Sequence, residues 1–221
     1  MGQEILTITQ RRFLEFIKCQ KGFSKTFYLT GGTALSAYYL NHRYSEDLDF
    51  FSDKEIDLAA VNVLLRKAKL DCGVKTIDFQ QAFNRNIFFL KFKDTKELLK
   101  TEFTFYPFAS LEKPLNVGGL LVDSLTDIAV NKVFTIAENP RARDFIDIYF
   151  IAQKKAISFK ELLKKARLKF DWHIDPIQFG SQLLKVGEVK DYPRMLKRVD
   201  DKKWQEFFIT EARKFKKEAL K

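Results

Sequence analysis

Apolar positions along the chain fall into two regimes. Up to about residue 122, short apolar or alternating runs are divided by polar turns; beyond it the apolar spacing is helical throughout. Between Arg11 and Lys21, Phe13, Phe16 and Ile17 recur at helical spacing and predict an amphipathic helix. Phe27-Tyr28-Leu29 reads as a short strand running into Gly31-Gly32-Thr33, and the following ALSAYYL reads as helix. The polar turn Asn41–Ser45 precedes a second strand over residues 47–51. Ser52, with Glu55 three residues on, predicts a capped helix running to about Leu70. Residues 74–83, 87–92 and 98–106 read as strands, the first two joined by a turn at Asn84-Arg85-Asn86.

Pro107, Pro114 and Gly118-Gly119 mark a loop and a boundary. After them come five helical segments, over 125–137, 141–154, 159–170, 176–186 and 200–221, with the basic end expected to fray. The pattern predicts an α+β or α/β module over residues 1–122 and a helical module over 123–221.

Charge sharpens that division. The 221 residues hold 39 Lys+Arg against 29 Asp+Glu, a formal +10. Residues 1–150 carry 20 basic and 19 acidic side chains, whereas residues 151–221 carry 19 and 10. Nearly all the excess therefore lies in the last third, which suits an acidic partner there, or a solvated lysine-rich face. With 46% hydrophobic and 31% charged residues the composition is that of a folded soluble domain, and disorder throughout is excluded. No run of about 18 apolar residues predicts a membrane span. The first residues lack the apolar stretch of a signal peptide, and two cysteines make neither a disulfide framework nor a zinc quartet, so a cytoplasmic setting is expected.

The chemistry concentrates in Asp47-Leu48-Asp49. On a strand, alternate side chains share a face, so the two carboxylates stand roughly 7 Å apart on one side. They repel one another unless a cation lies between them, and Mg²⁺ favours one or two carboxylates together with phosphate oxygens. A solvent-facing strand is the competing reading, weakened because Asp is disfavoured in strands. In the run from Leu99 to Phe105, Phe103 and Phe105 share one face, and Glu102 lies on the other with Lys100 and Thr104. If that strand neighbours the Asp strand, Glu102 completes a three-carboxylate site suited to two-metal phosphoryl chemistry. Gly31-Gly32-Thr33, between strand and helix, permits close approach of a phosphate, or marks a tight turn.

The run from Leu29 to Leu35, followed by His42-Arg43-Tyr44-Ser45-Glu46-Asp47-Leu48-Asp49-Phe50-Phe51, resembles the first motif of the AbiEii/AbiGii toxin family within the polymerase-β-like nucleotidyltransferases. Asp127 to Lys132 and Arg141 to Tyr149 resemble its helical motifs, so the similarity spans about residues 25–153. The resemblance implies an α+β nucleotidyltransferase-fold mixed sheet with flanking helices, followed by a helical module. It places Mg²⁺ at Asp47 and Asp49, with Glu102 where relatives often carry Asp. It also sets Gly31, Gly32 and Thr33 against nucleotide phosphates, with Ser45 as a further hydroxyl donor. Lys132 matches a phosphate-contacting lysine, and Asp147, with Asp144 close behind, matches an acidic residue of the active site. From the residues alone, Asp144 and Asp147 read equally as ion pairs along an exposed helix face, Arg143 to Asp147 among them. His42 and Arg43 read as orienting residues or plain turn positions.

The expected activity is transfer of a nucleoside monophosphate from an NTP to a hydroxyl, releasing pyrophosphate. The basic last third favours RNA, with a tRNA end among the acceptors, while a protein hydroxyl or small molecule stays open. The resemblance adds the role of toxin in a toxin–antitoxin or phage-defence system, with a cognate antitoxin as partner. The alternative is a non-catalytic nucleic-acid or protein-binding module on the same core; a metal-dependent nuclease ranks last. Phe170, Trp172, Trp204, Phe207 and Phe208 interleave with lysines and suit base stacking or, more simply, a helix core.

Overall fold

The computed structural model describes residues 5–155, 158–173 and 175–219. Its contacts divide the chain into two units. One comprises the described residues up to Tyr39 together with Tyr44–Ser124, and the other comprises Leu40–Arg43 together with the described residues from Leu125 onward. The short excursion at Leu40–Arg43 departs from the contiguous division expected at residue 122. Within that second unit His42 and Arg43 are both bonded to Asp147, and the His42 carbonyl accepts from the backbone of Leu196 and Lys197.

The first unit is a seven-stranded mixed sheet. Its strands are β1 (Tyr28–Thr30), β2 (Leu48–Ser52), β3 (Val74–Ala82), β4 (Arg85–Phe92), β5 (Leu98–Phe105), β6 (Leu115–Val117) and β7 (Leu120–Val122), in the order β3-β4-β5-β2-β1-β7-β6. The pairs β2–β5 and β1–β7 are parallel and the rest antiparallel. Three helices join it: α1 (Ile8–Lys18), the single turn α2 (Gly31–Leu35), which continues as a π turn to Leu40, and α3 (Leu58–Asp71).

Alternation decides what each face of the central strands carries. Phe50 of β2 stacks on Phe103 of β5 at 5.4 Å, and Phe13 of α1, Phe23, Phe27 and Phe88 close around them. Phe13, Phe50 and Phe103 are fully buried, each worth about 1.5–3 kcal/mol of transfer free energy. The neighbouring positions, Asp49 and Glu102, therefore point to the opposite face. The hydrophobic packing of one side sets the direction of the carboxylates on the other.

Local caps explain where the sequence pattern placed element ends differently. Ser52 is the buried last residue of β2, and its hydroxyl bonds within its own turn to Lys54. The helix instead begins at Leu58, where Asp57 accepts from the backbone of Ala59 and Ala60. The β3–β4 turn is Phe83-Asn84, so Arg85 and Asn86 belong to β4 rather than to the turn. The segment read as a loop around Gly118-Gly119 is a hairpin, both glycines having positive φ.

Phe83 also has positive φ (53°) and is 97% exposed. A bulky side chain in the left-handed region costs about 1–2 kcal/mol. Phe83→Gly should accordingly raise stability by about 1 kcal/mol in chemical denaturation, and an unchanged midpoint would refute the strain.

The second unit consists of α4 (Leu125–Glu138), α5 (Ala142–Lys155), α6 (Phe159–Phe170), α7 (Pro176–Leu184) and α8 (Asp201–Ala219). The end expected at residue 221 lies outside the described residues. Trp204 and Phe208 of α8 are fully buried against Phe145 of α5, so these two aromatics are core rather than a stacking surface. Lys169 and Asp127 form a salt bridge at 2.7 Å with both side chains almost wholly buried. No helix of the described residues is long and apolar enough to cross a membrane.

Candidate active site

In the sheet unit, β1, β2 and β5 bring three polar residues into one row. Thr30 pairs with Asp49, and Asp49 pairs with Glu102, each directly across the ladder. Residues in register share a face, so the predicted neighbour relation of the two acidic strands holds. Asp47 lies just ahead of β2, where its carbonyl accepts a hydrogen bond from the Thr33 hydroxyl and its carboxylate meets Lys100 Nζ at 2.6 Å. Thr30 Oγ1 donates to Asp123 at 2.8 Å. The Ser45 carbonyl accepts from Gln10, which ties the segment ahead of the aspartates to α1.

Gly31 explains how the row is closed. It opens α2 with φ +74°, and a Cβ there would stand 2.3 Å from Asp49 Oδ2. Glycine is required both by its conformation and by the carboxylate resting against its Cα. Gly31→Ala should lose about 1–3 kcal/mol and displace Asp49. A melt and an activity measurement on the same preparation test this; wild-type values in both would contradict it.

Glu102 is buried, yet its carboxyl lies below its ordinary pKa. Burial, the largest influence, pushes it up; hydrogen bonds from Arg85 and Thr104 and the Arg85 charge outweigh it. Arg85 grips it with a two-pronged pair, Nε to Oε1 and Nη2 to Oε2, both 2.6 Å, and Thr104 Oγ1 adds 2.7 Å. The polar run Asn84-Arg85-Asn86 reads as a turn, whereas Arg85 opens β4 and reaches Glu102 across the ladder. Lys100 and Thr104 were legible as neighbours of Glu102 on one strand face.

Lys132, Asp144 and Asp147 are gathered within the helical unit. Lys132 Nζ bridges Asp144 at 2.8 Å and Asp147 at 2.6 Å, and Arg141 Nε holds Asp144 at 2.7 Å. Asp147 also receives Arg43 Nε at 2.6 Å, Arg43 Nη2 at 2.7 Å and His42 Nε2 at 2.7 Å. The alternative of ion pairs along an exposed helix face is thus corrected: both aspartates are buried and their partners come from other segments, while Arg143 is exposed. Asp147 is held well below the usual carboxylate range, the opposing effect of burial being exceeded by Arg43, Lys132 and His42. Burial lowers the His42 pKa, so the ring is neutral, donating from Nε2 to Asp147. Its Nδ1 has no hydrogen-bond partner among the described residues.

Among the described residues, no three His, Cys, Asp or Glu side chains are drawn together closely enough to enclose a metal ion. Asp47 and Asp49 nevertheless fit a hard divalent cation. They are adjacent oxygen donors, half-exposed, and the missing Cβ of Gly31 keeps space for Asp49. Glu102 fits only if Arg85 yields it.

Comparison with known proteins agrees with this architecture. Residues 12–217 match the family model for the nucleotidyl transferase AbiEii toxin of type IV toxin–antitoxin systems. An uncharacterized protein of Aquifex aeolicus (strain VF5) is 32% identical over 163 residues, covering 73% of this chain and 74% of that one. Two solved Helicobacter pylori structures share the fold. One, proposed to be a nucleotidyltransferase, has TM-score 0.60 and 22% identity over 96% of this chain and 95% of its own. The other, JHP933, has TM-score 0.58 and 20% identity over 95% and 90%.

Proposed function

We propose that this chain, which belongs to the AbiEii nucleotidyl transferase toxin family, is a Mg²⁺-dependent enzyme that moves a nucleoside monophosphate from an NTP to a hydroxyl of RNA. The observation that carries this reading is the row Thr30–Asp49–Glu102 beside Gly31, with Asp47 at its edge. Such a row supplies oxygen donors on a rigid sheet face next to a turn whose backbone a phosphate can approach.

Asp47 and Asp49 would hold the cation, with Glu102 as a further donor. The bound ion would supply charge neutralisation and a lower pKa for the acceptor hydroxyl. Gly31, Gly32 and Thr33 line the phosphate side, with Ser45 preceding the aspartates as a hydroxyl donor. Asp147 acts in this reading as a positioning residue, its bonds to His42 and Arg43 holding that short segment, and Lys132 with Asp144 completes the ion-pair cluster around it. RNA, including tRNA ends, is favoured as acceptor by the basic balance of residues 151–221, and an antitoxin protein is the partner that family membership suggests.

Incubation with each labelled NTP, Mg²⁺ and total RNA tests the proposal. Label on RNA supports it, and label on tRNA alone narrows the acceptor. Label on protein only would replace RNA by a protein hydroxyl. Folded protein that binds no NTP with Mg²⁺ and transfers no label would overturn the enzyme reading and leave the non-catalytic binding module.

A further inference from the structure

The acidic row carries its own cations. Lys100 sits on Asp47 at 2.6 Å and Arg85 on Glu102 through two bonds of 2.6 Å. Three carboxylates on one face repel each other, and these two side chains offset that repulsion. The Arg85 guanidinium is held above its ordinary pKa, chiefly by its hydrogen bonds to Glu102 and against the effect of its own burial. Glu102 in turn is lowered by Lys100 as well as by Arg85.

The two partners of the Arg85–Glu102 pair are held very differently. The Glu102 side chain is 5% exposed, lies mid-strand in β5 between β4 and β2, and keeps Thr104 Oγ1 as a second donor. The Arg85 side chain is 49% exposed and rises from the first residue of β4, directly after the turn. When the pair opens, the carboxylate stays in place and the guanidinium rehydrates. Stripping a cation from a buried carboxylate is costly unless another replaces it. A divalent ion brings +2 where the departing Arg85 takes away +1, so the carboxylates stay compensated after the exchange. The released guanidinium has the planar fork that matches phosphate oxygens, and it is tethered beside them.

Building on the nucleotidyltransferase reading above, we propose that Arg85 is an exchangeable counter-ion: it occupies Glu102 in the metal-free protein, yields that carboxylate to a divalent cation, and then binds the phosphates of the incoming NTP. Arg85 is thereby a nucleotide-binding residue and a brake on metal binding without nucleotide.

The signature is a pair of opposite shifts. Mn²⁺ affinity without nucleotide, read by the electron paramagnetic resonance of free Mn²⁺, should tighten about tenfold in Arg85→Gln. Affinity for a non-hydrolysable α,β-methylene NTP with Mg²⁺ should weaken about tenfold in the same variant. Arg85→Lys, which keeps the charge without the fork, should fall between wild type and Arg85→Gln in both. In Glu102→Gln the Mn²⁺ gain from removing Arg85 should vanish. A merely structural Arg85 would weaken both ligands together, and that result overturns the proposal. So does an unchanged Mn²⁺ affinity, or a gain that persists with Glu102→Gln. Wild-type protein that binds neither Mn²⁺ nor the NTP analogue would take the nucleotidyltransferase reading down as well, which separates the two failures. If Arg85→Gln does not fold, the Lys variant and Glu102→Gln carry the comparison.

Discussion

Asp49→Asn should lower nucleotidyl transfer by at least about a hundredfold and leave the fold intact. Removing one group aimed at developing charge in a preorganised site costs that much in comparable enzymes, and a carboxylate donor to a hard cation has no amide substitute. The fold should survive because Asp49 is half-exposed, while the buried Leu48 and Phe50 anchor the strand from the other side. An amide also keeps the shape that rests on Gly31. Asp53→Asn, four residues along on an exposed turn, is the matched control and should keep full activity. Label transfer from NTP to RNA with Mg²⁺, measured beside a thermal melt, decides it. Transfer by Asp49→Asn within a fewfold of wild type would remove Asp49 from the metal-binding pair.

The parts legible in the sequence are those where periodicity and chemistry agree. Alternation and short apolar runs place β1 to β5 to within a residue or two, and the placement of Glu102 opposite the Phe103/Phe105 face follows from the same pattern. What stayed hidden depended on partners distant along the chain. Ser52-Asp53-Lys54-Glu55 has the form of a capping box, but pairing of β2 with β5 extends to Ser52 and buries it, leaving Asp57 to cap α3. The β6–β7 hairpin is three residues a side, too short for a periodic signal, and forms because β7 pairs with β1. Arg85 was assigned to a turn because Asn84-Arg85-Asn86 is polar throughout, whereas the turn adopts the less expected Phe83-Asn84. Nor does the local i,i+4 pattern around Asp147 reveal that its partners are the neutral ring of His42 and the cations Arg43 and Lys132, 105, 104 and, in the last case, a helix away.

That hidden cluster carries the largest stability effect expected of a single substitution. Asp147→Ala should destabilise the helical unit by about 3–5 kcal/mol, because it removes one side of a buried ion pair and leaves the cationic side in a dry environment. The Asp147 side chain is 0% exposed and Arg43 4%, so water cannot readily replace the lost bonds. Lys132 keeps Asp144, while Arg43 and His42 lose every bond they make to Asp147. Arg143→Ala, on the exposed face of the same helix, should stay within about 0.5 kcal/mol of wild type. The effect should also depend on pH with a definite sign. Asp147 has a folded pKa below its unfolded value, so its contribution is complete above the unfolded value of about 4 and is lost as pH falls through the acid range. His42 also has a lowered folded pKa, set chiefly by burial, so its contribution is complete above the unfolded value of about 6.5 and decreases as pH falls below it. Denaturant titrations between about pH 3 and pH 8 should therefore show wild type losing stability below about 6.5, and more steeply below about 4. The gap between wild type and Asp147→Ala should narrow through that second step. A gap independent of pH, or an Asp147→Ala variant as stable as Arg143→Ala, would show that the cluster does not hold His42 and Arg43 by charge.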